Sequence, residues 1–224
     1  VLERNLGYSF QDKKLLAHAL THSSYASEHD LAYSENNERL EFIGDAYLDA
    51  IIGNKLYEVM PNQPEGVLSK TRANIVCERS LATIARNIGL GDFLFLGNGE
   101  EMYGGREKDS LLADAVEAII GAIIRESGYD CADRVVLKLF EENILLALQG
   151  KLYHDYKTAL QEMLQERYKN VRIQYEPVSE SGPDHRKVFT VQVKVDDAVL
   201  ATGSGHSKKA AEQEAARKVL MKGV

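Results

Sequence analysis

Four acids recur at helical spacing in Asn37–Asp49, NERLEFIGDAYLD. At about 100° per residue a helix gathers Glu38, Glu41, Asp45 and Asp49 into an arc of roughly 80° and sets Leu40, Ile43, Tyr47 and Ala50 on the other side. Glu41 and Asp45 stand at i,i+4, as do Asp45 and Asp49, and each such like-charge pair costs a few tenths of a kcal/mol. Phe42 and Leu48 border the stripe, and apolar residues continue through Ile51 and Ile52. The acids are therefore expected to look into a cleft, where carboxylates need a cation. The alternative is an acidic, solvated surface face.

A second stretch, Ser110–Ile124, reads SLLADAVEAIIGAII: from Leu111 onward every residue is Leu, Ala, Val, Ile or Gly except Asp114 and Glu117. A helix apolar all round is buried, and Ser110 is expected to cap it. Asp114 and Glu117, at i,i+3, share a face with Ala118 and Gly121, whose small side chains admit a second helix at close range. An unpaired buried carboxylate costs on the order of several kcal/mol. Either a distant Arg meets this pair, or the pair faces Glu41 and Asp45 in a cage of four carboxylates. Oxygen-only ligands select Mg2+ or Mn2+ over zinc. A di-iron bundle requires Glu-x-x-His twice, and no His stands three residues after Glu38 or Asp114.

The elements that must hold these residues are helical through the first two thirds of the chain. Apolar spacing predicts a helix over Leu15–Ser24 ending near His22, with His22 as a structural histidine rather than a ligand. A polar loop, Glu28–Asn36, leads to the acidic helix, which runs to about Met60 before Pro61 and Pro64. Helices follow over Glu65–Val76, where Lys70 and Arg72 are either surface residues or phosphate contacts, and over Cys77–Gly89. The run Phe93–Leu96 is read as packing rather than strand. The Gly-rich segment around it lacks the spacing of a phosphate-binding loop. Ile144–Tyr156 reads as a connection. Beyond it come a helix over Lys157–Tyr168, strands near Arg172–Val178, Val188–Val195 and Val199–Gly203, and a helix from Ser207 to Met221. Turns are expected at 181–184 and 196–197. Two domains are predicted: an all-α domain over 1–148, a linker over 149–155, and a small α+β domain of order α-β-β-β-α over 156–224.

The charge divides along the same line. The whole chain of 224 residues carries −7, but residues 1–150 hold 14 basic against 24 acidic side chains, net −10, and residues 151–224 hold 13 against 10, net +3. An acidic module with a basic companion suits metal-dependent work on a polyanion delivered by the second module. Ser207, Lys208 and Lys209 begin the last helix after the loop TGSGHS, where helix amides and two ammoniums favour phosphate. Two cysteines, Cys77 and Cys131, far apart and without CxxC spacing, indicate neither a disulfide framework nor zinc, and fit a reducing compartment. No apolar run approaches the ~18 residues of a membrane span, and the first residues have no signal-peptide pattern.

NERLEFIGD resembles the signature of ribonuclease III, and LADAVEAIIGA its second block. KTALQEMLQE, GPDH and TGSGHSKKAAEQEAA resemble elements of a double-stranded RNA-binding domain. The resemblance spans nearly the whole chain. It implies a helical endonuclease domain that forms a homodimer around double-stranded RNA, with a two-metal Mg2+ site in each subunit at which Mn2+ can substitute. Carried over residue by residue, Glu41, Asp45, Asp114 and Glu117 bind metal, Asp45 and Glu117 being the catalytic pair. Glu38 and Glu65 help place substrate, and Phe42 packs across the dimer. In the second domain the resemblance assigns Thr158, Gln161, Glu162 and His185 to successive minor grooves, and Ser207, Lys208 and Lys209 to the phosphates between. The chain departs where some members carry a third basic residue and it has Glu212, which implies a weaker grip. The implied activity is cytoplasmic cleavage of rRNA precursors and other structured transcripts, leaving 5′-phosphate, 3′-hydroxyl and short 3′ overhangs. A non-catalytic RNA-binding regulator is the competing expectation.

Overall fold

The structure is a computed structural model that describes residues 1–149, 152, 156–168, 171–182, 187–196 and 198–222. The chain divides into two compact units, Val1–Leu152 and Tyr153–Val224. The expected turn residues Pro183, Asp184 and Asp197, and most of the expected linker, lie outside the described residues.

The first unit contains helices α1 (Leu2–Leu6), α2 (Lys13–Ala19), α3 (Ser23–Glu28), α4 (Glu38–Val59), α5 (Glu65–Ile75), α6 (Glu78–Ile88), α7 (Asn98–Met102), α8 (Asp109–Ser127), α9 (Tyr129–Leu139) and α10 (Glu141–Leu148). As its composition demands, α8 is the buried axis: eleven of its residues, from Leu111 to Ile123, are shielded from solvent, and it packs chiefly on α4 and α6. At the α4–α8 crossing the backbones nearly touch. A Cβ on Gly44 would lie 1.8 Å from the carbonyl oxygen of Glu117, and one on Gly121 would lie 2.0 Å from that of Leu40.

Four expectations need correction. The buried row of α4 is Leu40, Gly44, Leu48, Ile51, Ile52 and Leu56, whereas Tyr47 and Ala50 are exposed. The core side thus lies one residue from the acids rather than opposite them, because it must follow the small residue that admits α8. The helix expected over Leu15–Ser24 is two helices. Phe95 inserts its backbone between them, its N–H donating to Leu20 O at 2.9 Å and its carbonyl accepting from His22 N at 3.0 Å. Ser110 lies inside the first turn of α8 instead of capping it, since the helix begins at Asp109, which holds Arg86 at 2.5 Å. Residues 144–148 are helical rather than connecting: α10 docks through a buried hydrogen bond from Asn143 Nδ2 to Ser80 Oγ at 2.5 Å.

The second unit comprises α11 (Tyr156–Arg167), the antiparallel meander β1 (Ile173–Ser181), β2 (Val188–Val195) and β3 (Ala198–Gly205), and α12 (Lys208–Lys222). Tyr175 pairs with Val193 and Val193 with Ala201. Both helices close over the sheet on a small core of Leu160, Leu164, Val193, Ala201, Ala215, Ala216 and Val219. The approach of α12 is close enough that a Cβ on Gly203 would lie 2.2 Å from Ala215 N. Among the described residues no helix is long and apolar enough to cross a membrane.

Candidate active site

The glycine crossing between α4 and α8 decides which side chains meet. One residue beyond Leu40 on α4 is Glu41, and Glu117 on α8 belongs to the turn whose carbonyl faces Gly44. Glu41, Asp114 and Glu117, all half-buried, each offer a carboxylate oxygen within 4.8 Å of the other two. Asp45 is exposed and stands outside that trio in this structure, yet its charge is the strongest of those acting on Glu117. Among the described residues none of the four forms an ion pair with Lys or Arg. Asp49, the last acid of the stripe, does, with Arg72 Nε at 3.6 Å.

The electrostatic consequence falls on Glu117. Burial first, then the charges of Asp45, Glu41, Asp114 and Asp49, push its carboxyl from an ordinary 4.5 up to about 8. Glu41 is raised by burial and by Asp114, Glu38 and Asp45. Asp114 is raised by burial, with His22 and Lys108 working against the rise and Glu78 adding to it. Three acids that resist ionising together are held where a divalent cation would relieve all of them.

Glu38 starts α4, adds its charge to those that raise Glu41, and pushes the Tyr33 hydroxyl above its ordinary range. Glu65 is not brought to the trio: it is exposed at the start of α5 and accepts from Ser69 Oγ at 2.6 Å. Phe42 is 78% exposed, a large apolar ring beside the acids that no described residue covers. His22 is structural, as expected. Its Nδ1 accepts the Ser24 backbone N–H at 3.2 Å and caps α3.

In the second unit Thr158, Gln161 and Lys209 line one groove with Lys157, Ile173 and Glu212. Glu162 is exposed on the same helix as Gln161. Ser207 caps α12, its Oγ accepting from Ala210 N at 3.1 Å. Lys208 is well exposed, with Nζ 3.7 Å from Glu180 Oε1. His185 lies outside the described residues.

The family model described as Ribonuclease-III-like matches residues 12–167, and the one described as Double-stranded RNA binding motif matches residues 156–222. Ribonuclease 3 of Caldanaerobacter subterraneus subsp. tengcongensis is 51% identical over 221 residues, covering 99% of this chain and 96% of the relative. The chain belongs to the ribonuclease III family. Ribonuclease 3 of Campylobacter fetus is 50% identical over 222 residues, covering 98% of this chain and 95% of the relative. A solved structure of the ribonuclease III nuclease domain of Campylobacter jejuni, described for structural flexibility in a region involved in dimer formation, superposes with a TM-score of 0.59 at 50% identity. It covers 63% of this chain and 95% of its own.

Two features of this ribonuclease III family chain have no signal in the sequence pattern. His22 acts on Asp114 from 92 positions away, and only the capping context of THSS hints that the ring is fixed. Lys157 pairs with Glu212 across 55 residues. No local pattern encodes that pairing.

Proposed function

We propose that the chain is an endoribonuclease that hydrolyses double-stranded RNA at the acidic site on α4 and α8, with the second module supplying the grip on the duplex. The observation that carries this reading is the trio Glu41, Asp114 and Glu117: oxygen donors only, within 4.8 Å, half-buried and without a basic partner among the described residues. On donor chemistry these residues fit a hard divalent cation, Mg2+ with Mn2+ as a substitute. Such cations, when bound, supply the charge that activates a water and stabilises the leaving oxygen.

In this reading Glu41, Asp45, Asp114 and Glu117 are the metal-binding set. Glu117 keeps its carboxyl proton at neutral pH while the site is empty and gives it up on loading, so uptake of the cation releases protons. Asp45, exposed at the rim, and Glu117, half-buried, form the catalytic pair, and Glu38 and Glu65 help place the strand. Water adds at phosphorus and the bond to the 3′ oxygen breaks, giving 5′-phosphate and 3′-hydroxyl ends. The ribose 2′-OH is not the nucleophile, so no pair of catalytic histidines is required. In the second module Thr158, Gln161, Glu162 and His185 read minor grooves while Ser207, Lys208 and Lys209 hold phosphates, a recognition by shape that spans about 16 bp. Phe42 is covered by a second copy, and the two sites of that homodimer cut opposite strands with short 3′ overhangs. Precursor rRNA and other structured transcripts in the cytoplasm are the proposed substrates.

The test is incubation of the full chain with a long RNA duplex in Mg2+ and in EDTA. Cutting in Mg2+ alone is the expected result. Metal-independent binding without any cutting would overturn the enzyme and leave an RNA-binding regulator.

A further inference from the structure

Lys157 sits at the start of α11 in the groove shared with Thr158, Gln161 and Lys209, where an ammonium would be drawn to an RNA phosphate. It is already engaged. Its Nζ lies 2.5 Å from Glu212 Oε2 and 4.5 Å from the centre of the Tyr175 ring, and its backbone N–H donates to Gln213 Oε1 at 3.4 Å. The two charged side chains keep 35% and 26% of their exposure, so the pair is better shielded than an open surface contact. Glu212 is also three residues after Lys209 on α12, on the helix face that lines the groove. Among the described residues Lys209 has no acidic partner, so the groove presents one free cation beside one neutralised by a neighbour.

We propose that Glu212 is an internal competitor for the phosphate: it holds Lys157 in the free protein, and Lys157 joins the grip on RNA only by exchanging that carboxylate for a backbone phosphate. Two consequences arise from charge-assisted bonding. Lys157 contributes less affinity than an unpaired lysine would, because its phosphate bond is partly offset by the loss of Glu212. And the Glu212 carboxylate, once released, remains beside the RNA backbone and opposes it. Glu212 therefore sets an upper limit on how tightly the module holds duplex, and the limit lies in a single side chain. The proposal rests on the reading of the second module as the duplex grip.

The experiment measures binding of the full chain to a 20-bp RNA duplex in EDTA, so that no cutting intervenes, across a series of salt concentrations. The unaltered chain comes first: failure to bind would overturn the proposed function rather than the role of Glu212. Glu212→Gln keeps shape and removes charge. It is expected to bind several-fold more tightly, with the log–log salt slope steeper by about 0.9, because the counterion released at the Lys157 phosphate contact is no longer offset by one taken up at a freed carboxylate. Lys157→Gln leaves Glu212 unpaired against the backbone and is expected to bind more weakly than the unaltered chain. Adding Glu212→Gln to it should recover most of that affinity without the steeper slope. The comparison of Lys157→Gln with the double variant stands even if Glu212→Gln alone proves unstable. Equal or weaker binding by Glu212→Gln, a steeper slope that persists without Lys157, or no recovery in the double variant would each overturn the proposal.

Discussion

Burial and the neighbouring acids push the Glu117 carboxyl up to about 8, which favours its protonated form at neutral pH in the metal-free chain, and that state has a measurable signature. Its folded pKa of about 8 lies above the ordinary 4.5, so between those values the folded chain holds a proton that the unfolded chain has released. Stability of the metal-free protein is therefore greatest at the acidic end of this window and falls as pH rises through 8. Partial exposure screens the effect, which we place on the order of 1–2 kcal/mol. Thermal melts in EDTA should drop by several degrees between pH 6 and pH 8.5, and Glu117→Gln should flatten the profile. A flat profile in the unaltered chain would contradict the buried-acid picture. The same substitution is expected to abolish Mg2+-dependent cleavage of duplex RNA while leaving binding nearly intact. More than a few per cent of residual cutting would remove Glu117 from the machinery. This part of the site is legible in the sequence because a carboxylate in an otherwise apolar helix has few physical justifications. The fixed His22 ring and the Lys157–Glu212 pair are not, because nothing near either residue in sequence names its partner.

Among the elements, α4 and α8 meet at a crossing that only glycine permits. Gly121→Ala would place a Cβ 2.0 Å from the Leu40 carbonyl oxygen, and that backbone atom has no rotamer to move aside. The helices must separate, at a cost of about 1–3 kcal/mol or more, and the acids separate with them. Expected outcomes are a clearly lower melting temperature and a fall in cleavage beyond what reduced stability explains. Gly99→Ala, with nothing within 4 Å of the added atom, serves as the control. Small residues at Ala118 and Gly121 make the close approach and its side of α8 readable from sequence, but not which row of α4 packs there. Periodicity ranks residues by hydrophobicity, and Gly44 scores low for a position that a backbone fills. The break between the two helices at Leu15–Ser24 is hidden for a similar reason: it is made by Phe95, a residue more than 70 positions downstream.

For the molecule as a whole, the division into a −10 region and a +3 region is a division of labour. On the proposed function the second module carries the phosphate grip and the first carries the acids. Replacing Lys208 and Lys209 together by Ala should lower duplex affinity strongly and flatten the salt dependence by about 0.9 for each phosphate no longer held. Binding unchanged at physiological salt would place the grip elsewhere. Association is tested by Phe42→Glu. The ring is 78% exposed in the single chain, and a charge there would be buried unpaired in the proposed homodimer. Light scattering should report the monomer mass, and a dimer mass would refute the assignment.

The faces of α4 follow one another within consecutive residues: Leu40 packs against α8, Glu41 enters the acidic trio, and Phe42 points outward. A helix built this way tolerates a change of residue far better than a change of count. Deleting one residue just ahead of Gly44 would turn everything after it by about 100°. Asp45 would then enter the position where only a glycine fits, and Asp49 would enter the buried place of Leu48. Core and acidic site would fail together, so a change of length here costs more than most changes of residue.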